Sequence, residues 1–398
     1  KKNVRKVVES NAFYPTLLTI IVVNIFYVLF LNNQFLIYLL PFAMLPIIST
    51  IIGNKTYAII MTFSNMVMLS QEESWFFVTI AVSLVAVYKA DDLVGRSDII
   101  KLSFFLGIFQ ALLSFGYGLV NQSNFGLIML MIVFSVFSGI LTGMMSLAVL
   151  PYFEDYFDIL TTMKLLELSD FSHTLLKQLL IKAPGTFHHS IMVGALAEGA
   201  AESIGANATF ARIASYYHDI GKLEHPFFFI ENLPGHMESP HNMISAEESA
   251  QIIFNHVTKG VEILTQHQLP QAVIDICAQH HGTTLMKYFY AEALKNNPDV
   301  KEEDFRYPGP KPQTKEAAII NIVDSAEAAT RAMKEPTLEK VEALVHSIIV
   351  NRLEDEQFVE CDITMKEIAI VEKMIVTSLN GTFHSRIEYP TIKKQVSK

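Results

Sequence analysis

The chain has 398 residues, enough for two or more domains, and 51% of them are hydrophobic while only 18% are charged. Its mean hydropathy of +0.33 is too high for an ordinary soluble protein of this size. Residues 1–150 hold eight Lys or Arg and six Asp or Glu, so +2 of the total charge of −10 lies there and −12 lies in the remainder. This acidic remainder excludes a nucleic-acid duplex as its partner.

Six apolar stretches divide the first part of the chain. They are Phe13–Leu31, Phe35–Ile52, Thr56–Ser70, Trp75–Tyr88, Ile100–Val120 and Phe125–Phe153. Four of them reach or approach the roughly 20 residues that a helix needs to cross the hydrocarbon of a bilayer, and the third and fourth are shorter. Because the stretches are apolar all round, the sequence predicts a bundle of six membrane-spanning helices over residues 1–153.

The charges between these stretches predict the orientation of the bundle. Basic residues occupy the N-terminal flank and every second loop: Lys1, Lys2, Arg5, Lys6, Lys55, Lys89, Arg96 and Lys101. The alternate loops contain no Lys or Arg: Asn32–Gln34, Gln71–Ser74 and Asn121–Asn124. Because positive loops stay in the cytoplasm, we expect both ends of the chain to lie inside the cell. No ionisable residue interrupts the middle of a span, which argues against a transporter.

The rest of the chain predicts short capped helices. We expect a helical linker over 154–183 and an all-α domain over 184–398, since no run of alternating β-branched residues is present. Pro184-Gly185-Thr186 predicts a turn followed by an N-cap at Thr186, which opens a helix. The other predicted caps are Asn207, Ser245 with Glu248, Thr337, and Thr364 with Glu367. The segment 296–313 is rich in Pro and charge, which is typical of an ordered excursion or lid.

Ten of the 13 histidines lie between His188 and His281. Five of them stand out together with two aspartates as metal ligands: His189, His218, Asp219, His256, His280, His281 and Asp324. Seven donors are too many for one tetrahedral zinc, and they suit two six-coordinate ions that share the Asp219 carboxylate and a water. Cys277 and Cys361 lack a CxxC partner, so a sulfur site is excluded. The pattern predicts a metal-dependent hydrolase.

The order His189, His218-Asp219, Asp324 resembles the signature of HD-domain phosphohydrolases, and His256 with His280-His281 resembles the extra ligands of its two-metal subclass. The words Pro184-Gly185-Thr186-Phe187-His188-His189-Ser190, His218-Asp219-Ile220-Gly221-Lys222 and Phe229-Ile230-Glu231-Asn232, behind a bundle of apolar helices, are similar to the PgpH-type family of seven-transmembrane HD proteins. That family hydrolyses the bacterial second messenger cyclic di-AMP to linear pApA. The resemblance therefore implies a multi-pass protein of the bacterial cell membrane with a cytoplasmic catalytic domain.

The resemblance also implies roles for individual residues. His189, His218, Asp219 and Asp324 would hold one metal ion, and Asp219, His256, His280 and His281 the other. Mn or Fe would suit these nitrogen and oxygen donors. Asp219, His218 and Lys222 are the expected catalytic residues, and we expect Lys222 to contact a substrate phosphate.

Three residues beyond the metal ligands and Lys222 are further candidate substrate contacts. Tyr288 and Tyr290 could stack on adenine or simply pack within a helix, and Lys311 could reach a phosphate or be exposed. His225, His236 and His241 follow the HD pair and are expected to be solvated, with one of them as a substrate contact at most. His188 is expected to pack beside the site. His173, His267, His346 and His384 are expected at the surface or as satisfied residues.

The chain differs from the family ahead of its first span, and it differs from cyclic di-GMP hydrolases after the histidine pair. The family has a seventh helix and an extracellular domain ahead of the six spans, so we expect the sequence to be truncated and the extracellular ligand to be unknown. Gly282-Thr283-Thr284-Leu285 follows the histidine pair where cyclic di-GMP hydrolases carry Gly-Tyr-Pro, which disfavours that substrate. The alternatives are hydrolysis of (p)ppGpp or cyclic di-GMP, or a membrane receptor that binds a nucleotide without cleaving it. A homodimer is compatible with each.

Overall fold

The computed structural model describes residues 3–30, 36–69, 73–235 and 237–382, and within these it is built from helices. The only β pairing in the described residues is an isolated antiparallel bridge between Leu285 and Arg306. The prediction of an all-α protein is therefore confirmed. The chain divides into two compact units, residues 1–170 with Pro270–Ala272 and residues 171–269 with 273–398. The division falls inside the predicted linker 154–183.

Within its described residues, the first unit contains seven α-helices: α1 (Asn3–Phe30), α2 (Met44–Ile52), α3 (Lys55–Leu69), α4 (Glu73–Ala90), α5 (Arg96–Val120), α6 (Phe125–Tyr156) and α7 (Thr162–Leu168). Three helical segments in the described residues are long and apolar enough to cross a membrane: Ala12–Phe30, Arg96–Val120 and Phe125–Tyr156. Large apolar side chains such as Phe77 and Leu112 point outward. Such an apolar exterior suits contact with lipid.

The second predicted span differs from the expected continuous helix. Its described part begins with a 3₁₀ turn, Leu36–Leu39, and is interrupted before α2, which has only nine residues and is almost entirely buried. Pro41 lies in the interruption and Pro46 in the first turn of α2, where a missing N–H costs little. Ser138 donates to the Leu40 carbonyl at 2.7 Å and Gln110 to the Tyr38 carbonyl at 3.1 Å. These side chains supply hydrogen-bond donors to two backbone carbonyls at the break.

Close contact between α5 and α6 depends on small residues. A Cβ added to Gly139 would lie 2.5 Å from the Ser103 carbonyl oxygen and 2.6 Å from the Gly107 Cα. Glycine at both positions therefore lets the two backbones approach each other directly, as is common between apolar helices in membranes. Ser114 and Ser135 form a hydrogen bond of 3.0 Å across the same pair of helices. Packing and polar contacts together hold α5 on α6.

The second unit contains α8 (Thr174–Lys182), α9 (Pro184–Ser203), α10 (Ala208–Tyr217), α11 (Ala246–Gln266), α12 (Gln271–Gln279, of which the first two residues cluster with the first unit), α13 (Lys287–Asn296), α14 (Lys315–Arg331), α15 (Leu338–Glu354) and α16 (Met365–Thr382). The helix α9 packs against α10, α14 and α16. This central helix and its neighbours α10 and α14 carry side chains of the candidate site.

Local capping rules account for most helix starts in this unit. Asn207, Ser245 and Thr337 each accept a hydrogen bond from the backbone N–H three residues later, and Ser245 forms a capping box with Glu248. Thr364 and Glu367 bond reciprocally in the same way. These predictions are confirmed. The expected cap at Thr186 is wrong, because α9 begins two residues earlier at Pro184 and the Thr186 hydroxyl donates to Glu231 instead.

Candidate metal centre

Seven side chains from five parts of the fold converge on one buried site. They are His189 of α9, His218 and Asp219 at the end of α10, His256 of α11, His280 and His281 after α12, and Asp324 of α14. Two sets of donors have all their ligand atoms within 4.8 Å of one another, and both contain Asp219: one adds His189 and His218, the other His256, His280 and His281. Asp324 Oδ1 lies 2.9 Å from His189 Nε2 and 3.6 Å from His218 Nε2. The geometry brings together every metal ligand that the sequence predicts.

Three of the histidines are oriented by the same local device. The Nδ1 atom of His218 lies 2.6 Å from the carbonyl oxygen of Ser215, three residues earlier, and His280 makes the same contact with Cys277 at 2.7 Å. His256 bonds to the carbonyl of Ile253 in the same way. Because a carbonyl only accepts, Nδ1 must carry the proton in each ring. Whenever such a ring is neutral, the Nε2 atom that faces the site is therefore a lone-pair donor, as a metal ion requires.

His189 is oriented by a carboxylate instead. Its Nδ1 lies 2.5 Å from Glu327 Oε2, and Glu327 in turn accepts from Arg331 Nε at 3.0 Å. Glu327 lies three residues after Asp324 and hence on the same side of α14. A carboxylate behind a histidine fixes the ring and makes its other nitrogen a better ligand.

Burial and charge separate the protonation states of the rings. Burial lowers the pKa of His256 to about 4 and that of His280 to about 3, so both rings are neutral at pH 7. Burial also disfavours a charged His218, but the charge of Asp219 outweighs it and raises the pKa of His218 to about 10. The Lys222 ammonium and the His218 imidazolium hold the pKa of Asp219 well below its usual range despite burial. Asp219 is therefore a carboxylate available to a cation.

The site leaves polar atoms without protein partners, which tests whether metal ions fit. His218 Nε2 and Asp219 Oδ1 are buried and have no hydrogen-bond partner within the described chain. Such orphaned atoms are rare in native proteins unless an ion, a ligand or water satisfies them. The donors are imidazole nitrogens and carboxylate oxygens without sulfur, which suits divalent transition metals. The residues present therefore fit a pair of metal ions.

Two glycines in the sequence motifs allow the elements around the site to meet. A Cβ added to Gly221 would lie 1.8 Å from the His256 carbonyl oxygen, and one added to Gly185 would lie 1.8 Å from the Glu231 carbonyl oxygen. Neither distance is possible for a real side chain. Gly221 thus lets the 3₁₀ turn Ile220–Leu223 rest on the backbone of α11, which places His256 beside Asp219.

Lys222 is held by two carboxylates. Its Nζ lies 2.7 Å from Asp219 Oδ2 and 2.9 Å from Glu231 Oε1, and the ammonium lies over the Phe229 ring at 4.8 Å. Glu231 also accepts from the Thr186 hydroxyl at 3.0 Å. The predicted phosphate contact of Lys222 therefore has to coexist with these ion pairs, whose immediate effect is to balance the charge of Asp219.

The predicted aromatic and basic substrate contacts lie in different environments. Tyr290 packs in an apolar cluster with Phe254, Ala293 and Phe305, as expected if it serves only helix packing. Tyr288, in contrast, is 74% exposed. Lys311 is half-buried, and no contact joins it to the seven donors in the described structure. None of the three shows a contact with the metal centre.

The other histidines of the described residues belong to neither donor set. His188 contacts the Phe187 ring, and His241 lies between Phe228 and Phe289 and bonds to the Phe228 carbonyl. His346 pairs with Glu372 at the surface. His236 and His384 lie outside the described residues.

Sequence reasoning missed Glu327, Tyr307 and Arg352. Glu327 could have been found from its helical spacing to Asp324. The Tyr307 ring lies against His281, with centroids 4.2 Å apart. Arg352 of α15 donates to Asn321 and Ser325, which flank Asp324 in sequence. No sequence signal links Tyr307 or Arg352 to the site.

Comparisons with known proteins agree with both halves of this description. The family described as "7TM receptor with intracellular HD hydrolase" matches residues 1–161, and the HD domain family matches residues 186–329. The cyclic-di-AMP phosphodiesterase PgpH of Listeria monocytogenes is 40% identical over 98% of this chain and 55% of its own length. The PgpH of Bacillus subtilis is 44% identical over 76% of this chain and 43% of its own length. The chain thus spans about half the length of the curated relatives it matches.

A solved structure decides the family. The L. monocytogenes PgpH HD domain, solved by crystallography in complex with cyclic-di-AMP, is 52% identical in sequence to this chain. The match covers 100% of the crystallised domain and 54% of this chain, with a TM-score of 0.53. The chain belongs to the PgpH-type family. The predicted resemblance is confirmed, and the matched family together with the three long apolar helices makes this PgpH-type chain a membrane protein.

Proposed function

We propose that this chain is a metal-dependent phosphodiesterase that hydrolyses cyclic di-AMP to linear pApA. Its relatives in Listeria and Bacillus are named cyclic-di-AMP phosphodiesterases, and the related Listeria HD domain binds cyclic di-AMP. The observation that carries the proposal is the pair of donor sets that share the Asp219 carboxylate. Two divalent ions side by side are one arrangement by which enzymes hydrolyse phosphodiesters, and the two donor sets would hold such a pair.

We further propose which residues hold the ions. His189, His218, Asp219 and Asp324 would hold one, and Asp219, His256, His280 and His281 the other, with Mn or Fe as the metal. When bound, two such ions lower the pKa of a water molecule and offset the negative charge of the phosphate. Lys222 keeps Asp219 ionised and aligned by its 2.7 Å ion pair.

The reaction is the addition of water across one phosphodiester. The water oxygen forms a bond to phosphorus, the bond from phosphorus to the ribose 3′ oxygen breaks, and that oxygen receives a proton. The products are a 5′-phosphate and a 3′-hydroxyl, and one such event opens the ring. The neutral rings of His256 and His280 and the ionised Asp219 would hold the ions in place while this occurs.

We propose the membrane arrangement that the loop charges predict. Residues 1–153 would form the bundle, 154–183 the linker and 184–398 a catalytic domain in the cytoplasm. The matched ranges 1–161 and 186–329 are compatible with this division. A bacterial cell membrane as the location, an upstream extracellular ligand and a homodimer stay predictions.

Turnover by the whole purified chain tests the proposal. The detergent-solubilised protein, loaded with Mn or Fe, is given cyclic di-AMP, cyclic di-GMP and ppGpp in parallel, and products are separated by chromatography. We expect pApA as the main product and about two metal ions per chain. Asp219→Ala should abolish both, whereas Asp299→Ala, in an exposed loop, should change neither. Preference for another nucleotide would identify the alternative hydrolase, and binding of cyclic di-AMP without turnover would identify a receptor.

A further inference from the structure

The Tyr307 side chain is a fixed but incompletely bonded part of the site wall. Its ring lies 4.2 Å from the His281 ring, at an interplanar angle of 34°, and 5.0 Å from the Phe254 ring, which it meets edge to face. The His256 ring is 6.4 Å away. The phenol ring is thus close to His281 and His256, two members of the donor set that also contains Asp219 and His280. Aromatic contacts of this kind hold a ring in one orientation.

The backbone around Tyr307 is equally restrained. The Tyr307 N–H donates to the Thr284 carbonyl at 3.1 Å, and the Met286 N–H donates to Phe305 at 2.9 Å. The Arg306 guanidinium donates to the Thr283 carbonyl at 2.8 Å. The segment that the sequence marks as an excursion or lid is therefore tied to the chain that directly follows His281. Its position beside the site needs no closing movement.

The hydroxyl of Tyr307, in contrast, has no recorded hydrogen bond within the described chain. Tyr307 is half-buried, so its hydroxyl is open to a ligand that enters the site. Because the ordinary pKa of a tyrosine phenol is about 10, the group keeps its proton throughout the physiological range. A neutral O–H donor without a partner is suited to an acceptor that arrives with the substrate.

The charge distribution indicates what that acceptor is. The Arg352 guanidinium, which interacts electrostatically with both Asp324 and Tyr307, forms hydrogen bonds of 2.9 Å only to the neutral side chains of Asn321 and Ser325. No ion pair of 4.0 Å or less is recorded for it in the described structure. The charges of Asp324 and Asp355 act on this guanidinium without a direct ion pair to either. On this side of the site, an arriving phosphate would find a cation that no carboxylate contacts directly and a phenol donor.

We propose that the Tyr307 hydroxyl donates a hydrogen bond to a non-bridging oxygen of the phosphodiester that is being cleaved. Tyr307 is then a catalytic residue in the sense that it touches the reacting phosphate. The inference rests on the proposed function for the identity of the diester, but the contact itself requires only a phosphate at the metal centre.

Removal of one oxygen atom tests the contact. Tyr307→Phe in the full chain keeps the ring on His281 and should lower kcat/KM for cyclic di-AMP by about 10- to 100-fold, the usual loss for a hydrogen bond to a charged group. The affinity for inorganic phosphate, measured by calorimetry, should fall as well. Metal content and melting temperature should stay at the wild-type values. Tyr216→Phe is the matched control, because that hydroxyl lies beside Arg212 and Glu198 instead.

Two results would overturn the inference. One is an unchanged kcat/KM and phosphate affinity at equal metal content. The other is loss of metal from Tyr307→Phe, which would make the residue a support for His281 rather than a substrate contact.

A second diester, bis(4-nitrophenyl) phosphate, separates this inference from the proposed function. If the wild type cleaves only this diester, cyclic di-AMP is the wrong substrate, and Tyr307 is judged by its effect on the nitrophenyl reaction. A wild type that cleaves neither diester contradicts both proposals.

Discussion

The Nε2 atoms of His256 and His280 lie 3.3 Å apart, and neither of them can donate a proton to the other. Both rings use their Nδ1–H for a backbone carbonyl of their own helix. Two lone pairs that face each other at this distance repel, and burial removes the water that would relieve the repulsion. Asp219 Oδ1 lies 3.3 Å from His256 Nε2, and a cation held by these three side chains would turn the repulsion into shared coordination. The pair is the clearest sign that the fold is arranged for metal.

The carboxylate behind His189 should matter for metal affinity. Glu327→Gln keeps the size of the side chain but removes the charge that orients the His189 ring, and we expect about 10- to 100-fold weaker metal binding. Competition with a chelating dye measures this directly on the full chain. The exposed Glu335→Gln just beyond the same helix should bind metal like the wild type. Equal affinities in the two variants would show that the contact of 2.5 Å between His189 and Glu327 has no influence on the site.

Metal affinity should rise with pH. The pKa of His218 is raised to about 10 in the metal-free protein, so this ring is protonated at neutral pH and must lose its proton before it can bind an ion. His256 and His280, whose pKa values are lowered to about 4 and about 3, add no such competition above pH 5. Between pH 6 and 9 we expect affinity to increase by about tenfold per pH unit for the proton displaced from His218, and more steeply at the pH values where His189, whose pKa the Asp324 and Glu327 carboxylates raise despite burial, also carries one. The dye titration repeated across this range measures it, and a constant affinity would contradict the assignment.

Gly221 should tolerate no side chain. Gly221→Ala puts a methyl group where the His256 carbonyl oxygen lies, so the turn and α11 must separate and the second donor set must open. We expect loss of roughly half of the bound metal and a free energy of unfolding lower by about 1–3 kcal/mol. Gly235→Ala is the control, because a Cβ there meets nothing within 4 Å. Metal analysis and thermal melting are the measurements, and normal metal content in Gly221→Ala would disprove this account of the motif.

The sequence by itself determined the features that depend on nearby residues. Helix caps such as Asn207 and Ser245 need only a side-chain oxygen three residues before an N–H, so they could be predicted from spacing. The apolar stretches, the all-α class and the seven side chains that converge on one site were also predictable, because composition and residue type indicate them. The family motifs supplied the grouping of the donors into two sets.

Only the tertiary structure decided how distant segments act on one another. At the break before α2, Ser138 and Gln110 from other helices donate hydrogen bonds to backbone carbonyls. Lys222 is held by Glu231, Tyr290 packs into the cluster around Phe254, and Tyr307 lies on His281. The physical reason is that such contacts depend on the three-dimensional approach of elements far apart in sequence, for which a single sequence contains no local periodicity or spacing.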